Sequence, residues 1–114
     1  MKVILLANPL NLELGDRASF VIGIEVFNDT EDEIIPELDK TELLINGEAS
    51  NSWSRAIKNG KREPNWCNLS AGQKISMKWT HLGETLFRNP GFYHLQLKLG
   101  NQILDSLDVK INSL

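Results

Sequence analysis

The stretch Pro90-Gly91-Phe92-Tyr93-His94-Leu95-Gln96-Leu97-Lys98-Leu99-Gly100-Asn101-Gln102-Ile103-Leu104-Asp105-Ser106-Leu107-Asp108-Val109-Lys110-Ile111 decides the fold. From Tyr93 the apolar residues take every second position, at Tyr93, Leu95, Leu97 and Leu99, with His94, Gln96 and Lys98 between them. The alternation returns at Leu107, Val109 and Ile111 against Asp108 and Lys110. Successive side chains of a strand point to opposite faces, so period two reads as a strand with one buried and one wet face. Gly100-Asn101 lies between the two runs at the spacing of a two-residue hairpin.

Outward from this hairpin the same pattern recurs. Phe20, Ile22, Ile24 and Val26 alternate with Val21, Gly23 and Glu25, and Ile75, Met77 and Trp79 alternate with Lys74, Ser76 and Lys78. Leu10-Leu12-Leu14 and Leu43-Ile45 read as shorter strands. Ile34-Ile35 before Pro36 reads as another, placed at an edge or a bulge because proline has no ladder donor. Gly15-Asp16, Asn28-Asp29-Thr30, Asn46-Gly47, Ala71-Gly72 and Pro90-Gly91 punctuate the runs as turns. The apolar run Val3–Ala7 is shorter than the roughly 7–15 residues of a signal peptide and predicts a short first strand, ended by Asn8-Pro9. Helix is confined to short pieces. Ser52 to Asn59 reads as one or two turns with Ser52 as cap and Gly60 as stop, and His81 to Phe87 as another short turn. These readings predict an all-β, antiparallel β-sandwich of about seven to eight strands, with residues 1–114 as a single domain. Val21, Ile103 and Asp105 are expected on its outer faces.

Composition narrows the function classes. The apolar fraction is 41% and the charged fraction 24%, ordinary for a globular domain and against a membrane partner. A net charge of -3 and a pI near 5.3 argue against nucleic acid, whose phosphates demand a basic surface. Cys67 is the one cysteine, so no internal disulfide forms, which favours a reducing, cytoplasmic setting. Charge is uneven along the chain. Glu25, Asp29, Glu31, Asp32, Glu33, Glu37, Asp39 and Glu42 face Lys40 alone, whereas Arg55, Lys58, Lys61 and Arg62 form a stretch free of acids. Opposed patches of this kind steer a partner, a second copy of the chain included, or are solvated loops.

Pro90-Gly91-Phe92-Tyr93 before an alternating strand looks like the tyrosine corner of immunoglobulin-like sandwiches. The order Val26-Phe27-Asn28-Asp29-Thr30, Leu44-Ile45-Asn46-Gly47, Trp53, Leu69-Ser70-Ala71-Gly72-Gln73, Trp79 and Pro90-Gly91-Phe92-Tyr93 is similar to the bacterial intracellular proteinase inhibitor (BsuPI-like) family. The resemblance implies an immunoglobulin-like sandwich and, for activity, proteinase inhibition. It places no reactive site on a particular residue.

The candidate binding region is the long segment 48–70, with Trp53, Arg55, Lys58, Lys61, Arg62 and Trp66. Long segments on rigid sandwiches carry function. Trp79 has the buried parity of its strand, while Trp53 and Trp66 either plug the end of the sandwich or stand out as contacts. Cys67 with His81 and His94 has no spacing that makes a nucleophile and base or a zinc site, so no catalytic residue, metal or cofactor is expected. Asp29, Glu31, Asp32 and Glu33 lack the glycine pattern of a calcium loop and read as a solvated turn. Asn28-Asp29-Thr30 and Asn68-Leu69-Ser70 match the glycosylation triplet, a pattern common by chance. The expectation is therefore a non-catalytic protein-interaction module whose partner is another protein. The alternatives are a proteinase inhibitor acting through segment 48–70 and a carbohydrate binder using Trp53 and Trp66. Self-association stays open.

Overall fold

The alternating runs become strands, and their apolar parity becomes the inside of a two-sheet β-sandwich. The structure, a computed structural model, describes residues 1–59 and 68–113. One sheet contains β1 (Lys2–Asn8), β3 (Val21–Phe27) and β6 (Lys74–Trp79), in that order. The other contains β2 (Asn11–Glu13), β8 (Gln102–Asn112), β7 (Gly91–Leu99), β4 (Glu42–Ile45) and β5 (Glu48–Ala49), again in spatial order. Neighbours are antiparallel, except that β2 runs parallel to β8. This departs from the all-antiparallel expectation. The chain crosses from one sheet to the other at Asn8-Pro9 and lays β2 beside the last strand.

The core sits where the inner faces meet. Val3 and Leu5 of β1, Ile22, Ile24 and Val26 of β3, and Ile75 and Trp79 of β6 are buried. Leu43 of β4, Leu95 and Leu97 of β7, and Val109 and Ile111 of β8 supply the buried side chains of the second sheet. Each fully buried side chain of this size contributes about 1.5–3 kcal/mol. The predicted turns hold. Asn46 and Gly47 both have positive φ (50° and 88°), the pairing whose twist matches a hairpin. Gly100 has φ 61° in the β7–β8 turn. The Tyr93 hydroxyl donates to the Asn89 carbonyl at 2.5 Å, closing the corner expected from sequence.

Three expectations fail locally. Ile34 forms only an isolated bridge with Leu69, and Ile35 is exposed, because Pro36 cannot extend a ladder. Leu10 is exposed, and Leu14 opens a short 3-10 helix, Leu14–Ser19, instead of continuing a strand. Asp105 does not face outward. It shares the inward parity of Leu107, Val109 and Ile111 and pairs with buried Leu97, and its carboxylate accepts the Leu5 N–H at 2.7 Å, joining the two sheets.

Candidate functional site

The first part of segment 48–70 is regular structure. After β5 comes helix α1 (Asn51–Asn59). The Ser50 hydroxyl accepts the Trp53 N–H at 3.2 Å, so Ser50 caps the helix in place of the expected Ser52. Trp53 and Ile57, four residues apart, share one face and are fully buried. The Trp53 indole N–H donates to the Thr41 hydroxyl at 3.3 Å, and that hydroxyl donates to the Leu38 carbonyl at 2.7 Å. The Trp53 ring meets Trp79 edge-on, with centroids 4.9 Å apart. Trp53 is thus the plug of the sandwich, and its reading as a surface contact is corrected.

The remaining predicted residues divide in two. Arg55 and Lys58 are exposed on α1. Lys61, Arg62, Trp66 and Cys67 lie outside the described residues. A platform of two exposed rings at Trp53 and Trp66 is removed by the burial of Trp53. Arg55 and Lys58, expected on an extended loop, are instead helical.

Arg55 lines an open groove of about 630 Å³ at one end of the sandwich. One wall is the β4–β5 hairpin and the start of α1, and the other is the segment from α2 (Gly83–Leu86) to Tyr93. The second wall is held firmly. Gly83 presses against the Arg17 carbonyl with no room for a Cβ. Phe87 is buried, with its ring 5.0 Å from Phe20 and 4.8 Å from Tyr93. Arg88 therefore stands between an anchored Phe87 and an Asn89 bound by the Tyr93 hydroxyl. Arg88 was not among the sequence candidates, and its place between an apolar residue and the tyrosine corner is the only signal there was.

The arginines at this end differ in use. Arg17 donates to the Leu14 and Phe87 carbonyls, both at 2.8 Å. Among the described residues, Arg55 and Arg88 make no hydrogen bond or ion pair. Among the described residues, Glu48 is the acidic one on the groove wall.

The acidic turn and the glycosylation triplet resolve differently. Among the described residues no group of three or more His, Cys, Asp or Glu is arranged to hold a metal. The Met1 ammonium hydrogen-bonds Asp29 at 2.7 Å and holds its carboxyl below the ordinary aspartate value. Asn28 is buried, so its triplet is no surface acceptor. Its amide donates to the Asp32 and Leu69 carbonyls and accepts from the Thr30 N–H and hydroxyl. Asn68 is exposed.

No protein-family model matches the sequence, and no curated protein matches it. Among solved structures the chain is similar to a β-glucosidase from Listeria innocua in complex with gluconolactone. The TM-score is 0.52 at 12% identity, covering 98% of this chain and 16% of that one. The same enzyme with glucose gives a TM-score of 0.48 at 11% identity, with the same coverage. The chain thus spans 16% of the length of these enzyme chains, and at 12% identity the first likeness is one of fold alone.

Proposed function

We propose that the chain is a non-catalytic protein-interaction module that meets its partner at the groove between α1 and the tyrosine corner. The observation that carries this reading is the pair Arg55 and Arg88, set on two walls of one groove with no internal partner among the described residues. Arginine is enriched among the residues that dominate protein interfaces. Both walls are preorganised, one by the Trp53 plug and the other by Phe87 and the tyrosine corner, which lowers the entropic cost of binding. Among the described residues, the titratable side chains on the groove are Glu48, Arg55, Arg88 and Tyr93, a set suited to charge recognition. The scaffold reads as immunoglobulin-like. β3 beside β6 in one sheet, and β4, β7 and β8 together in the other, follow the immunoglobulin pairing of B with E and of C with F and G.

Affinity capture from an extract of the source cells tests the proposal. A protein retained by the wild-type chain and lost with the Arg55→Glu/Arg88→Glu double variant is the expected result. Captured proteins indifferent to the charge reversal would remove the groove as the contact surface.

A further inference from the structure

We infer that the groove receives an acidic segment of a partner protein, with carboxylates seated on Arg55 and Arg88. The inference rests on the reading of the groove as the contact surface and adds the chemistry of the occupant. A guanidinium keeps its charge at all working pH values and presents a planar fork of donors that matches a carboxylate. Arg17 shows what this chain does with a structural arginine: both of its nearby acceptors are backbone carbonyls of the protein itself. Arg55 and Arg88 hold the same donors unused, on separate elements whose positions are fixed by buried neighbours. Two such forks, carried by two walls of one groove, ask for more than one carboxylate along an extended ligand.

The surrounding charge sharpens the choice. The chain carries a net charge of -3, and the exposed turn with Glu31, Asp32 and Glu33 is acidic. An acidic partner is repelled over much of the molecule and is admitted where Arg55 and Arg88 stand, a repulsive element that confers specificity. Glu48 on the groove wall subtracts from this local field. Its neutralisation should tighten binding without adding any contact.

Fluorescence anisotropy with labelled peptides tests the assignment: a Glu/Asp-rich peptide, its Gln/Asn counterpart, and a Lys-rich peptide. Binding of the acidic peptide alone is expected, weakened about tenfold by Arg55→Ala or Arg88→Ala. Arg55→Lys should recover part of the loss, because charge returns without the fork. Glu48→Gln should strengthen binding severalfold, and salt at about 0.5 M should weaken it. Equal, arginine-dependent binding of the Gln/Asn peptide would overturn the acidic occupant while leaving the groove as the contact surface. Failure of the acidic peptide to bind would also overturn it, and arginine-dependent capture of a partner would then still stand for the broader reading. Inorganic phosphate binding as tightly as the peptide would reduce the site to one for simple anions. A concentration-dependent dimer in sedimentation, abolished by Arg55→Glu, would give the groove to a second copy of this chain. Either result overturns the proposal.

Discussion

The two ends of the sandwich treat polar side chains in opposite ways. β3 begins at Val21, beside Phe20, whose ring meets Phe87 at the groove end. It finishes at Phe27, and a strand of seven residues separates the ends by about 20 Å. Just beyond Phe27, Asn28 is buried with its whole capacity consumed. Its backbone N–H reaches Gln73, its carbonyl receives Gly72, and its amide ties Asp32, Leu69 and Thr30 together. At the groove, Arg55 and Arg88 are exposed and without internal partners among the described residues. A buried polar group is tolerated only when satisfied, so Asn28 is an investment in stability. An exposed cation on a rigid wall costs the fold little and remains available to something else.

That contrast can be broken by measurement. The largest effect belongs to the hidden side of the groove. Trp53→Ala removes the plug against Trp79 and should lower the unfolding free energy by about 3–5 kcal/mol in denaturant titration. A loss below about 1 kcal/mol would mean that the helix is dispensable to the core. Asn28→Ala takes one of two donors from the Leu69 and Asp32 carbonyls, which keep the Ile34 N–H and the Thr30 hydroxyl, and leaves the Thr30 N–H without its acceptor; it should cost about 1–3 kcal/mol in the same experiment. A silent Asn28→Ala would erase the distinction between the two ends. The Arg55→Ala/Arg88→Ala double variant should stay within about 0.5 kcal/mol of the wild type. A marked destabilisation would show that these arginines serve the fold and are not held in reserve.

Much of the scaffold was legible because period two is a local signal. The alternating residues of β3, β6, β7 and β8, the Asn46-Gly47 and Gly100-Asn101 turns and the Tyr93 corner all lie where the pattern placed them. The site was less so. α1 presents its apolar side through little more than Trp53 and Ile57, too short a run for helical periodicity to stand out. The cap at Ser50 and the i, i+4 spacing of Trp53 and Ile57 were the available clues. The partner of the Trp53 indole, Thr41, is twelve residues away and carries no local mark. Arg55 was singled out for its charge and does line the groove, whereas Arg88 joins it only through the fold. Asp105 was misjudged against the pattern itself: it shares the odd parity of Leu107, Val109 and Ile111 and pairs in unbroken register with buried Leu97, so period two already placed it inside, whereas the shift beyond it turns Ile103 outward.

The Asp105 carboxylate has one more consequence. β1 lies at the border of its sheet, paired with β3 on one side only. Its outward amides resemble an open row of hooks on which a foreign strand would catch. The Leu5 hook is already taken, by a charged acceptor borrowed from the opposite sheet. A chain that tried to extend the sheet there would have to evict that acceptor and leave a carboxylate stranded between the layers. The same bond that fastens the two layers together therefore guards this border against runaway growth into aggregates.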